Sequence, residues 1–289
     1  MEYIKSIDKR FFRGGLKSCY RLLLNRLNSN SLYIKHIKYK GKAPILRDNM
    51  DFPPHESSNK TVRLGPFGEL LAIGGGLEPE RMINAYKKGV CQISFKNEPV
   101  LWWTAPIRCV VLPNGIHISK IMKRKIFSGN FSLTVDKAFS DVVNSCANTR
   151  ENYTWLTNER KKCCFELHKL GIAHSVEVWE NGSLIGGLFG VSLGSYFLGE
   201  SMFSLKRDAA KLAFIGVSMR LCELGYSMFD LGIWPTEYLT SLGAACIDRD
   251  LFLEKLNSSV DNVVIHDFER IFEDWDYQQA VKNKLKEEI

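Results

Sequence analysis

Nothing in this chain is long and apolar enough to cross a bilayer as a helix. The basic N-terminus has no longer apolar run than Leu22-Leu23-Leu24, and it lacks the hydrophobic region and small-residue cleavage site of a secretion signal. The eight cysteines, at 19, 91, 109, 146, 163, 164, 222 and 246, form no Cys-x-x-Cys pair and no Cys/His spacing of a zinc site. Most lie in apolar runs, which predicts buried free thiols and no metal. Gly74-Gly75-Gly76 is followed by no Gly-Lys-Ser/Thr, so it is not a phosphate-binding loop. There is no internal repeat. These absences predict a soluble, cytoplasmic protein.

What is present is enough apolar material for a packed core, 45% of 289 residues, in one or two domains. The net charge of +7 is uneven. Residues 1–42 carry eleven Lys/Arg and two Asp/Glu, leaving −2 for the rest. A basic arm on a nearly neutral body predicts contact with phosphates or an anionic surface, or else a solvated tail. Three segments follow: an extension over 1–45 with helical spacing from Leu16 to Leu27, a small N-terminal domain over 46–105, and an α/β domain over 106–289 ending in a polar helix.

In the second segment, Pro79 opens a helix carrying Met82, Ile83 and Tyr86 on one face and ending near Gly89. In the third, strands are expected over 108–112 and 133–135, and helices over 119–127, 136–147 and 159–170. A meander of strands over 173–179, 183–192 and 195–200 turns at Asn181-Gly182, a strong hairpin signal. A buried helix over 209–224 and a strand over 226–233 containing Asp230 complete the pattern. The meander ends in Gly199-Glu200-Ser201-Met202-Phe203-Ser204. A carboxylate at the end of an apolar strand needs a partner or a chemical task.

This α+β order resembles the GNAT acyltransferase fold. Members of that fold that use CoA cradle its pyrophosphate with a glycine-rich loop entering a helix. Here the corresponding Ser201-Met202-Phe203-Ser204-Leu205-Lys206-Arg207-Asp208 has no glycine, which disfavours a CoA donor.

Seven motifs occur in order: Leu101-Trp102-Trp103, His117-Ile118-Ser119, Tyr153-Thr154-Trp155-Leu156, Leu167-His168, Ala173-His174-Ser175-Val176-Glu177-Val178-Trp179, the Glu200 motif and Ser241-Leu242-Gly243-Ala244. Together they resemble the leucyl/phenylalanyl-tRNA–protein transferase family, from about Phe52 to Asp250. The resemblance implies an enzyme that moves Leu or Phe from aminoacyl-tRNA to the N-terminal Arg or Lys of a protein, creating a degradation signal. It implies no cofactor, and a GNAT-like domain preceded by a small N-terminal domain. We expect a monomer.

By the same resemblance, Asp230 holds or deprotonates the attacking amine and Glu200 orients substrate beside it. Trp155 stacks on the terminal adenine of the tRNA. Met202, Phe203 and Phe189 are read as the aminoacyl pocket, with packing in the core as the competing fate. Lys120, Lys123, Arg124 and Lys125 on one short helix face acceptor-stem phosphates, or solvent. His117, His168 and His174 are read as structural.

Three positions depart from the family pattern. Leu231-Gly232 follows Asp230 where the family has Cys-Gln, and the Gln is catalytic there; Glu237 or Tyr238 is the available substitute. Cys91-Gln92-Ile93-Ser94 replaces Phe-Pro-Trp-Phe, so Ile93 stands for a tryptophan that helps hold adenosine. Gly76 replaces an Asp at a helix start. Three other readings stay open: a divergent paralogue with an altered donor or acceptor, a tRNA-binding module without turnover, and a CoA-dependent N-acyltransferase.

Overall fold

The computed structural model describes residues 41–47, 50–149, 154–262 and 268–287. The arm up to residue 40, with its expected 16–27 helix, and Tyr153 lie outside them. Among the described residues no helix is long and apolar enough to cross a membrane.

Two sheets organise the chain. The smaller contains β1 (Ile45–Leu46), β2 (Asn59–Leu64), β3 (Gly68–Gly74), β4 (Cys91–Gln92) and β5 (Leu101–Thr104). Its order is β1-β3-β5-β4, with β2 also pairing β3. Leu70, Leu71 and Ala72 of β3 are wholly buried, because this strand is covered on both faces. Helix α1 (Pro79–Lys87) buries Met82, Ala85 and Tyr86, the stripe expected from 3.6-residue spacing.

The larger sheet has the order β12-β6-β11-β10-β9-β8-β7. Its strands are β6 (Ile107–Val111), β7 (Ser132–Val135), β8 (Ala173–Glu180), β9 (Ser183–Leu193), β10 (Tyr196–Ser204), β11 (Met228–Asp230) and β12 (Ala245–Asp248). Asn181 and Gly182 both take positive φ, 52° and 74°, as a tight β8–β9 hairpin requires. The helices are α2 (Lys120–Ser128), α3 (Phe139–Asn148), α4 (Asn158–Lys169), α5 (Ala209–Glu223), α6 (Glu237–Ser241), α7 (Arg249–Val260) and α8 (Tyr277–Glu287). One apolar cluster joins the small sheet to α3 and α4; the other joins α2, α5 and α8 to the large sheet.

Helix α5 is buried on most sides. It presses so closely on β9 that a Cβ at Gly186 would come within 2.5 Å of the Ala209 Cβ. It also makes the crossover between β10 and β11, which is the only parallel pairing in the large sheet among the described residues. That pairing lasts three residues, Tyr196 to Leu198 against Met228 to Asp230.

Three element boundaries differ from the sequence expectations. Strand β10 does not stop at Glu200 but continues to Ser204, because β9 keeps pairing with it from Phe189 to Gly186. Strand β11 is only three residues long, since only those residues pair with β10. Helix α3 begins at Phe139 rather than 136. Asp136 instead adopts φ 56°, and its carboxylate accepts the Ser175 N–H at 2.7 Å and contacts His174 Nδ1 at 2.6 Å.

Candidate active site

Beyond Leu198 and Asp230 the two parallel strands part. Strand β10 continues along β9, while the chain after β11 turns away toward α6. The space between them is a cavity of about 580 Å³. It lies at the carboxyl ends of a parallel pair, the usual ligand position in sheets with crossover connections. Gly199, Glu200, Ser201 and Met202 form one wall and residues 231–234 and 236–239 another. Tyr86, Cys91, Gln92 and Ile93 close it from the small sheet, and Trp155 from the turn before α4. Leu188, Leu198 and Phe229 add apolar surface.

Glu200 sits at a bulge. The β9–β10 register pairs Gly199 with Gly190 and Ser201 with Phe189, so Glu200 is the extra residue. Its Oε1 accepts from the Tyr86 hydroxyl at 2.6 Å and from Arg160 Nη2 at 2.7 Å. Arg160 Nη2 also donates to the Tyr86 oxygen at 2.8 Å, and Nη1 to Cys164 Sγ at 3.2 Å. Arg160 is 1% exposed. Burial opposes its charge, but the acidic groups of Cys164, Tyr86 and Glu200 outweigh that penalty and raise its pKa well above the ordinary value. Burial likewise keeps the Tyr86 hydroxyl protonated far into alkali. Glu200 is therefore a carboxylate in the cavity wall with one oxygen anchored by two buried donors.

Asp230 is placed differently. It is wholly buried and is not among the residues lining the cavity. Arg108 Nε donates to both its oxygens at 2.9 and 3.0 Å, and Arg108 Nη2 to Oδ2 at 2.7 Å. The Tyr196 hydroxyl donates to Oδ2 at 2.5 Å and the Gly232 N–H to Oδ1 at 2.8 Å. The Asp230 carboxylate expected to meet the amine is thus enclosed by these donors and does not border the cavity. Arg108 Nη1 reaches on to the Gly89 carbonyl at 3.1 Å and to Cys91 Sγ at 3.0 Å. Burial pushes the Cys91 thiol up to about 11.

The remaining expected residues separate. Trp155 lines the cavity, with the Arg160 guanidinium carbon 5.5 Å from its ring centroid. Met202 lines it too. Phe189 and Phe203 do not: both are buried in the core, and Phe189 packs edge-on to Phe139. Alternation along the strands turns them away from the cavity. On α2, Lys120 and Arg124 are exposed while Lys123 and Lys125 are half-buried. Lys125 donates to the Arg207 carbonyl. Next to it Asp208 pairs with Lys211 at 2.8 Å, and the Lys211 ammonium lies 5.5 Å from the ring centroid of Tyr238 on the cavity wall. The basic helix thus connects to the cavity rim.

The first two amides of α5 are already engaged within the chain. The Ala209 N–H donates to the Lys206 carbonyl and the Ala210 N–H to Ser204 Oγ at 2.8 Å, beside the Asp208 carboxylate. A pyrophosphate would meet occupied amides and a like charge there.

The family described as leucyl/phenylalanyl-tRNA protein transferase matches residues 110–257. A leucyl/phenylalanyl-tRNA–protein transferase of Stutzerimonas stutzeri is 40% identical over 219 residues, covering 75% of this chain and 94% of that protein. One from Lawsonia intracellularis is 39% identical over 221 residues, covering 75% and 93%. The chain belongs to this family. A solved structure of FemX overlaps 58% of this chain and 66% of its own at 9% identity and a TM-score of 0.39.

Set against the pattern of leucyl/phenylalanyl-tRNA–protein transferases, two departures fall inside the cavity. Gly232 takes φ +84°, and a Cβ built there meets nothing within 4 Å. Ile93 and Gln92 occupy the opposite side. Glu237 and Tyr238 both line the same cavity as Gly232. The places of Arg108, Arg160, Tyr86 and Tyr196 in this site were not read from the sequence. Arg108 alone left a signal: a charge inside the apolar strand Ile107-Arg108-Cys109-Val110-Val111 requires a buried partner.

Proposed function

We propose that this protein is an aminoacyltransferase that moves an amino acid from aminoacyl-tRNA to the N-terminal amine of a protein. Membership of the transferase family carries the proposal, and the anchored Glu200 carboxylate in an apolar cavity supports it. In the reaction the amine nitrogen attacks the ester carbonyl carbon. A carbon–nitrogen bond forms, the bond from that carbon to the ribose oxygen breaks, the amine loses a proton and the ribose oxygen gains one. The ester is already activated, so deprotonation and positioning of the amine are the main demands. Glu200 is the group we assign to receive the amine N–H. Asp230 is a positioning residue that holds Arg108 and the Gly232 amide, and so fixes the loop of the far wall.

The finer reading follows the same line. The apolar wall of Met202, Leu188, Leu198 and Phe229 suits a Leu or Phe side chain, and the carboxylate of Glu200 suits an acceptor with a cationic Arg or Lys side chain. Trp155 offers a face to the terminal adenine, and α2 with Lys206 and Arg207 offers charge to acceptor-stem phosphates. We read the architecture as a GNAT-like domain over 106–289 with a small N-terminal domain over 46–105. It acts as a cytoplasmic monomer that creates degradation signals, with the arm touching anionic surfaces. A tRNA-binding module without turnover is the second reading, favoured by Gly232 and Ile93.

Labelled Leu-tRNA or Phe-tRNA incubated with a peptide beginning in Arg or Lys tests the proposal. Labelled peptide is expected, and Glu200→Gln should lower kcat/KM by about 10²-fold. No product beside a working relative, with salt-dependent tRNA binding retained, establishes the second reading instead.

A further inference from the structure

Strand β12 lies at the edge of the large sheet and pairs antiparallel with β6, which sets Cys246 directly opposite Cys109. The Cys109 N–H donates to the Gly232 carbonyl at 3.0 Å, and the Cys109 carbonyl accepts the Leu231 N–H at 2.8 Å. Both backbone groups of Cys109 therefore point toward Leu231-Gly232 and away from β12. In an antiparallel ladder this makes Cys109 and Cys246 a non-hydrogen-bonded pair, the closer of the two kinds, with Cα atoms about 4.5 Å apart and side chains on one face. A disulfide needs Cα atoms about 4.4–6.8 Å apart and Cβ atoms about 3.5–4.5 Å apart. The pairing thus meets the backbone requirement, and a small closing of the strands completes it.

The two thiols are unequal. Cys109 is 1% exposed, whereas Cys246 is half-buried on the edge strand. The hydrogen bond between them raises the pKa of Cys109 and lowers that of Cys246. Elsewhere burial pushes the Cys91 thiol up to about 11 and the Cys164 thiol up to about 12. Cys246 therefore combines access with thiolate character, and Cys109 stands beside it as a resolving thiol.

We propose that Cys109 and Cys246 are a peroxide-sensitive pair that closes to a disulfide and thereby shifts the cavity wall. The Cys246 thiolate attacks one oxygen of hydrogen peroxide. The O–O bond breaks, a sulfenic acid forms, and the departing hydroxide takes up a proton. The Cys109 sulfur then attacks the sulfenic sulfur. The S–S bond forms, the S–O bond breaks, and the leaving oxygen takes the Cys109 proton to become water. Two thiols give up two electrons and two protons, and one peroxide becomes two waters. The new bond draws β12 toward β6. Strand β12 follows α6, whose Glu237, Tyr238 and Leu239 line the cavity, and β6 holds Leu231 and Gly232 through the Cys109 backbone. The cross-link therefore acts on both parts of that wall. Its effect on transfer rests on the transferase reading; the cross-link itself does not.

Hydrogen peroxide added to the full chain, followed by alkylation of the remaining thiols and peptide mapping, should give linked peptides holding Cys109 and Cys246. Dithiothreitol should separate them. Transfer from charged tRNA should fall about tenfold on oxidation, return with dithiothreitol and resist peroxide in Cys246→Ser. Finding no linked peptides, with both cysteines alkylated or Cys246 carried to sulfinic acid, overturns the pair. Linked peptides with unchanged transfer overturn the shift of the wall. Linked peptides from a protein that transfers from no charged tRNA uphold the pair and sink the transferase reading. Should Cys246→Ser not fold, mapping and reduction of the unaltered protein still decide.

Discussion

Two buried ion pairs meet at this site and differ in what they do. Arg160 and Tyr86 fix one oxygen of a carboxylate that still borders the cavity, whereas Arg108, Tyr196 and the Gly232 amide enclose Asp230 completely. Removing the charge of Asp230 leaves Arg108, 3% exposed, without its counter-ion. Breaking a buried pair costs about 3–5 kcal/mol, so Asp230→Asn should lose stability of that order in urea unfolding. Its activity loss should appear in KM as well as kcat, since a displaced loop weakens binding. A loss confined to kcat with unchanged stability would make Asp230 a direct participant. His55 gives a separate handle. Its ring contacts Thr104 Oγ1 at 2.6 Å and the Lys88 carbonyl at 2.9 Å, and burial lowers its pKa below 6.5. As pH falls through that ordinary value the unfolded chain binds the proton first. Stability is therefore complete above about 6.5 and declines below it. His55→Gln should flatten the fall in unfolding free energy between pH 7.5 and 5.

At the scale of elements, the short parallel pairing of β10 with β11 creates the site. Had β11 followed β10 to Ser204, a continuous sheet would fill the space. Instead Leu231-Gly232 parts from β10 while its backbone stays bonded to Cys109 of β6, and Gly232 takes φ +84°. Gly232→Gln would project into open space, but the left-handed conformation costs a residue with a Cβ about 1–2 kcal/mol. The variant should melt at lower temperature than the unaltered protein, and an unchanged melting point would show that the loop relaxes. The Glu200 motif was legible because six residues in order are specific. The bulge that makes Glu200 unpaired was not legible, since register depends on β9.

For the whole molecule, the small sheet completes the site. Tyr86 of α1 bonds Glu200, Gly89 and Cys91 bond Arg108, and Arg249 Nε donates to the Ala105 carbonyl at 3.2 Å. The two sheets therefore hold the cavity through polar contacts, two of which, Tyr86 to Glu200 and Arg249 to Ala105, span more than a hundred residues of sequence. The basic arm acts at this scale too. Deleting residues 1–42 removes +9 of charge from a body of −2. Binding to tRNA or to anionic vesicles should weaken and its salt dependence should fall. Equal binding in both settings makes the arm a solvated tail.

By itself the sequence determined the family, the meander with its Asn181-Gly182 turn, the apolar face of α1 and the identity of Glu200. These depend on local periodicity, turn chemistry and short ordered motifs. Only the tertiary structure decided that Asp230 is enclosed, that Phe189 and Phe203 turn into the core while Met202 turns out, and that Gln92, Trp155 and Glu200 share one cavity. The physical reason is that strand register and the parting of β10 from β11 set which atoms meet. Both depend on pairing between segments far apart in the chain.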